Sequence, residues 1–183
     1  MNEILAKFAV IDGERIMLRP VKVSDAEAMF AYTSKPEVVK FITLLVSESV
    51  EQTRKGIADY FEVAPLGKYG LALKSSGAFM GTLDIRVDEE NKSAEIGYAL
   101  NPEFQGHGYM SEAVDLLLSL GFKELGLERM FAMCAAQNTP SERVMIRAGM
   151  TYEGTLRKAS FHKDMFLDMK YYSILKDEYF AAK

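Results

Sequence analysis

Cysteine is nearly absent. One residue, Cys134, stands in a chain of 183, so no intramolecular disulfide can form and a reducing compartment is expected. Histidine is almost as scarce. Two histidines and one cysteine do not make a zinc site, and no metal is expected. No apolar run is long enough to span a membrane. The N-terminus, MNEILAKFAVIDGE, lacks the basic start and long apolar centre of a secretory signal. A cytoplasmic location is therefore expected. Basic residues are not in excess, because the net charge is −4. That argues against a broad nucleic-acid-binding face, while leaving room for a local pocket that holds a phosphate. No repeat, linker or low-complexity tract interrupts the chain. At 49% apolar residues, one domain over 1–183 with a sizeable core is expected.

What is present centres on Ala94 to Gly121. Ile96, Tyr98 and Leu100 alternate with Glu95, Gly97 and Ala99, so the two sets occupy opposite faces of a strand. Beyond Gly108, Met110, Ala113, Val114, Leu117 and Leu118 recur at helical spacing. Between strand and helix lies Gln105-Gly106-His107-Gly108-Tyr109. Two glycines at a helix entrance let backbone approach a ligand closely. The unpaired first-turn amides and the positive end of the helix dipole then favour an anion, typically a phosphate. Two better-known phosphate loops are excluded. A P-loop needs Gly-Lys-Ser/Thr, which the chain lacks. A dinucleotide fingerprint needs glycine where Ser111 stands, and a carboxylate at the end of the next strand, whereas Glu128 precedes that strand.

The remaining chain reads as alternating strands and capped helices. A strand is expected over Arg15–Val21, with Pro20 near its end. Ser24 and Glu27 suggest a capping box for a helix to about Tyr32. A second helix is expected over Ser47–Phe61, with Ser49 and Gln52 as its box and Pro65 and Gly67 beyond its end. Strands over Tyr69–Leu73 and Phe79–Val87 flank a hairpin turn at Ser75-Ser76-Gly77. A polar turn from Asp88 to Lys92 leads into the strand through Glu95, and another strand is expected over Arg129–Ala135. Thr139 is placed to cap a helix, with Pro140 in its first position, Glu142 completing the box and Gly149 just past its end. Two last strands, Met150–Arg157 and Met165–Ile174, surround a turn near His162. The fold class is α+β: a mixed, mostly antiparallel sheet of about six to seven strands with about four helices.

Each chemical candidate has an ordinary explanation on its own. The glycine loop makes a tight turn, Asn138-x-x-Ser141 makes a cap, and Glu95 makes a solvated strand carboxylate. Their order and spacing together carry more. Glu95-Ile96-Gly97-Tyr98, Asn101-Pro102, Gly106-x-Gly108-Tyr109, Glu112-Ala113, Asn138-x-x-Ser141 and Arg147-x-Gly149-Met150 closely resemble the GNAT superfamily of N-acetyltransferases. Within it the chain resembles the RimJ/RimL branch, which acetylates protein N-terminal amines. Arg15, Met17-Leu18-Arg19-Pro20 and Asp25-Ala26 near the start, and Asp168-Met169 and Tyr171-Tyr172-Ser173 near the end, support that branch.

The resemblance implies a cytoplasmic acyltransferase whose co-substrate is acetyl-CoA, built on a sheet with a splayed central strand pair. By that analogy the backbone of Tyr98, Ala99 and Leu100 pairs with pantetheine. The loop amides of Gln105, Gly106, His107, Gly108, Tyr109 and Met110 hold the pyrophosphate. Asn138 hydrogen-bonds the cofactor, and Ser141 lies near the thioester sulfur as the acid. Glu95 is expected to draw the proton from the amine through water. Two positions depart from the wider pattern: Glu103 stands where Gln or Arg is common, and Met145 where many members carry a tyrosine acid. The implied acceptor is the N-terminal α-amine of a (ribosomal) protein. Such an amine titrates near ~8, so about a tenth is neutral at pH 7, against fewer than about one in a thousand lysines. Nucleic acid and membrane are not expected as partners, and monomer or homodimer stays open.

Two other functions fit the sequence. One is acetylation of a small amine such as a polyamine, amino sugar or antibiotic, which convergence of Asp59, Glu62, Asp84 and Glu95 would favour. The other is a non-catalytic acetyl-CoA-binding module. A covalent route through Cys134 is unattractive, because the thiol lies in the apolar strand MFAMCAA. His107 and His162 read as loop residues, and the eleven methionines as core filling.

Overall fold

Apolar alternation sets the strands, and glycine and proline punctuate them. The computed structural model describes residues 1–42 and 45–182. Contacts divide the chain into two units, Met1–Asp84 with Tyr98–Ala113, and Ile85–Gly97 with Val114–Lys183. The first contains α1 (Asn2–Lys7), β1 (Ile11–Asp12), β2 (Ile16–Arg19), α2 (Ala26–Thr33), α3 (Pro36–Val39), α4 (Val50–Ile57) and β3 (Lys68–Leu73). Next come β4 (Phe79–Asp88), β5 (Ser93–Leu100) and α5 (Tyr109–Ser119), each of which contributes residues to both units. The second unit continues with β6 (Arg129–Ala135), α6 (Thr139–Arg147), β7 (Thr151–His162), β8 (Met165–Leu175) and α7 (Lys176–Ala181).

In the first unit β1, β2, β3 and β4 pair antiparallel in chain order. There Asn101, just after β5, donates its amide to the Met80 carbonyl of β4 at 2.8 Å. A Cβ on Gly81 would overlap the Ala99 carbonyl oxygen, so only glycine admits this approach of β4 and β5. Met29 and Tyr32 of α2, Ile57 of α4 and Phe79 of β4 form a buried cluster with Val21 and Phe61. In the second unit β5 pairs parallel with β6, Ser93–Glu95 lying opposite Arg129–Phe131. β6 pairs antiparallel with β8 along its whole length, and β8 with β7. The strand order is thus β1-β2-β3-β4-β5-β6-β8-β7, mixed and mostly antiparallel.

Eight strands and seven α-helices lie among the described residues, against the expected six to seven and four. The additions are short: β1 has two residues, α3 four, and α1 and α7 six each. None is long enough to show a periodic pattern. The first expected strand is trimmed to β2, because Pro20 has no amide to continue the ladder. The Ser24–Glu27 box does not form. Asp25 takes the role instead, its carboxylate accepting the Lys22 amide at 2.9 Å and pairing with Arg19 at 2.7 Å. Of the Ser49–Gln52 box only the cap forms: Gln52 N–H reaches Ser49 Oγ at 3.1 Å, while the Gln52 side chain accepts from the Glu48 amide at 2.7 Å and not from that of Ser49. Its helix is regular to Ile57 and then widens into a π-turn over Ala58–Glu62.

Candidate active site

The glycine loop begins with a buried asparagine. Asn101 Oδ1 accepts the Glu103 amide at 3.1 Å and caps a short 3-10 turn over Pro102–Phe104. Gly106 at φ +82° and Gly108 at φ +79° then reverse the chain into α5. Both lie in the left-handed region where a side chain is disfavoured. Gln105, Gly106 and His107 are exposed, Gly108 and Tyr109 half-buried, and Met110 buried. A helix leaves its first-turn amides without intrahelical partners, so this loop ends on a set of donors.

A distant arginine completes the loop. Arg15 lies 92 residues before His107 and donates from Nη1 to its carbonyl at 2.9 Å. Its Nε and backbone amide both reach Glu112, at 2.8 and 2.9 Å. Its guanidinium sits 5.0 Å from the Tyr109 ring centre, and the Tyr109 ring stacks with His107. Burial pulls the Glu112 carboxyl upward, but the Arg15 amide and guanidinium outweigh it, so it titrates below the usual range. The acidic chain therefore fixes a guanidinium beside the loop that the sequence marks for an anion, its charge paired with Glu112. Nothing local in the sequence announces this contact, since Arg15 and Glu112 are 97 positions apart.

The other candidates occupy strand and cap positions. Tyr98, Ala99 and Leu100 are the last three residues of β5, all half-buried. Glu95 lies earlier on β5, opposite Phe131, and its Oε1 is 2.7 Å from Arg86 Nη2. Asn138, not Thr139, caps α6, its side chain accepting the Ser141 amide at 3.4 Å. The Asn138 amide itself closes a turn onto the Ala135 carbonyl at 2.8 Å.

Glu142 does not return to the helix start as a capping-box residue. It accepts from Lys170 Nζ at 2.7 Å and from the Tyr172 hydroxyl at 2.7 Å, joining α6 to β8. Lys170 and then Tyr172 hold the Glu142 carboxyl low, and the same bond raises Tyr172 to about 12. Burial pushes the Cys134 thiol up to about 11, Glu142 adds to the rise, and Lys170 and a hydrogen bond with Ser141 oppose it. Cys134 is therefore a thiol at neutral pH, which disfavours a covalent acyl-cysteine route. In the first unit Asp59, Glu62 and Asp84 take separate partners: the Lys55 ammonium, the Val23 amide and the Tyr60 hydroxyl.

The chain belongs to the GNAT acetyltransferase family, whose domain it matches over residues 15–151. It is thus an acyltransferase of the N-acetyltransferase type. N-acetyltransferase p20 of Bacillus licheniformis is 34% identical over 170 residues, covering 91% of this chain and 96% of that protein. YdaF of Bacillus subtilis, named as a candidate ribosomal N-acetyltransferase, is 30% identical over 177 residues, covering 93% and 97%. A GNAT-family acetyltransferase from Bacillus anthracis has a similar crystal structure, with TM-score 0.84, 34% identity, and 92% and 99% coverage. RimL, a ribosomal-protein α-amino acetyltransferase solved with coenzyme A, shares the fold at TM-score 0.79, 24% identity, and 92% and 99% coverage. The resemblance to the RimJ/RimL branch stands on relatives of this kind. Among the described residues no helix is long and apolar enough to cross a membrane.

Proposed function

We propose that the protein transfers an acetyl group from acetyl-CoA directly to the N-terminal α-amine of a protein, with residues 1–183 acting as one catalytic domain. The observation that carries this reading is the loop at Gly106 and Gly108, turned by two left-handed residues into α5 and latched by Arg15. Amides from Gly106 to Met110 hold the cofactor's pyrophosphate, that of Gln105 leaving its present partner, the Pro102 carbonyl, to join them, and the backbone of Tyr98, Ala99 and Leu100 pairs with its pantetheine arm. Asn138 hydrogen-bonds the cofactor, and Ser141 protonates the departing thiolate. Glu95 accepts the amine proton through water, leaving its present partner Arg86 to do so. An α-amine, about a tenth of it already neutral at pH 7, asks less of that base than a lysine would. The inert Cys134 thiol favours direct transfer over a two-step route. The similarity to YdaF, named as a candidate ribosomal N-acetyltransferase, supports a ribosomal protein as acceptor.

Thiol release and acetyl mass shift, followed with peptides beginning Ser, Ala or Thr beside a panel of polyamines and amino sugars, test the proposal. Turnover of the peptides, reduced at least tenfold in Glu95→Gln, is the expected result. Turnover of the small amines alone would replace the protein acceptor with a metabolite. No heat on titrating coenzyme A into the folded protein would remove the cofactor assignment altogether.

A further inference from the structure

Midway along the β7–β8 hairpin the ladder breaks. Leu156 pairs with Met169 and Ser160 with Leu167, so Arg157, Lys158 and Ala159 together oppose Asp168. Such a bulge re-aims side chains and interrupts pairing at a sheet edge. Lys158 is held at φ +50°, a left-handed conformation that costs a non-glycine residue free energy. Its amide donates to Asp168 Oδ1 at 2.7 Å, which stabilises the conformation. An open cleft of about 670 Å³ results, lined by Thr155, Leu156, Arg157, Lys158 and Asp168.

The charges in this cleft do not cancel. Arg157 and Lys158 are both exposed, and among the described residues neither side chain forms an ion pair. Asp168 supplies one negative charge, already engaged by an amide. A locally positive cleft on a chain of net charge −4 is a candidate for an anionic partner. Leu156, 54% exposed, adds apolar surface to the lining. β7 is last in the strand order, so its outer edge offers backbone donors and acceptors to an extended chain. That combination suits a polypeptide better than a free anion. The bulge is also tied to a candidate catalytic segment. The Asp168 carbonyl accepts the Ala136 amide at 2.8 Å, two residues before the Asn138 cap of α6.

We propose that this bulge docks an acidic segment of the acceptor polypeptide, with Arg157 and Lys158 meeting its carboxylates and Leu156 an apolar side chain beside them. The inference rests on the reading of a protein acceptor and adds its charge preference. Labelled peptides sharing a Ser start, with paired Asp, Asn or Lys downstream, provide the test. Binding is read by fluorescence anisotropy with coenzyme A present, and turnover separately by mass shift. The wild type binds the Asp peptide best. Arg157→Gln with Lys158→Gln reduces its advantage over the Asn peptide about five- to tenfold, as expected for two exposed charge pairs. Arg157→Glu with Lys158→Glu transfers the preference to the Lys peptide. Equal binding of Asp and Asn peptides by the wild type, or a preference that survives both double variants, overturns the docking site. An intact acid preference without turnover overturns the acetyl-transfer reading alone.

Discussion

The Arg15 side chain carries three interactions at once, to the Glu112 carboxylate, the His107 carbonyl and the face of Tyr109, beside the bond its backbone amide makes to Glu112. A lysine cannot reproduce that set, because an ammonium lacks the planar fork that spans a carboxylate and a carbonyl together. Arg15→Lys is therefore expected to loosen the glycine loop while keeping its charge. The expected outcome is an increase of about tenfold in KM for acetyl-CoA with kcat changed less than about twofold, measured by steady-state kinetics. Equal losses in both parameters would assign Arg15 a role in the chemical step instead. Glu95 illustrates a different residue-scale outcome. The sequence marks it as a base, while its carboxylate is occupied by Arg86, so the acceptor amine must compete with a guanidinium for it.

At the scale of elements, α6 joins a cap and a candidate cofactor contact in one residue. Asn138 accepts the Ser141 amide through its side-chain oxygen, and its side-chain nitrogen is a donor that an aspartate lacks. Asn138→Ala is expected to cost about 1 kcal/mol of stability by urea unfolding, the usual cost of a lost cap. Asn138→Asp preserves the cap and the stability, but it places a negative charge where the cofactor is proposed to bind. Its coenzyme A affinity, measured by calorimetry, is expected to fall more than tenfold. Unaltered affinity in Asn138→Asp would reduce Asn138 to a cap. The next residue of interest in this helix, Glu142, anchors α6 to β8 through Lys170 and Tyr172. That anchor holds the turn bearing Ser141 from its other side.

At the scale of the whole molecule, stability toward acid depends on carboxylates held ionised. Two hydrogen bonds from Arg129, each 2.5 Å, hold Glu153 down to about 2, with partial burial opposing them and Ser173 assisting. The folded value lies below the unfolded one, near ~4.3. The contribution is therefore full above the unfolded value and is lost as pH falls from about 4.3 toward 2. Because the pair is partly open to solvent, about 1 kcal/mol is expected from it at neutral pH. Glu153→Gln should unfold at lower urea than the wild type at pH 7, and the gap should narrow steadily below about pH 4. A gap independent of pH would mean that the glutamine disturbs packing rather than charge.

The sequence by itself determined the elements whose signals are local. Arg129–Ala135 is a strand over the residues that its apolar run marks, Ser49 caps α4 through the Gln52 amide, and Gly106 and Gly108 take the left-handed conformations that glycine alone adopts easily. The ordered motifs along the chain were enough to identify the family. Tertiary structure alone decided the partners. Arg15 reached Glu112 across 97 residues, Glu142 turned from its own helix start to Lys170 and Tyr172, and Arg86 took Glu95. Periodicity, capping and turn chemistry act within a few residues and so can be read along the chain. A charged side chain instead bonds whatever the packed elements bring within reach, and that choice is made only when distant strands and helices meet.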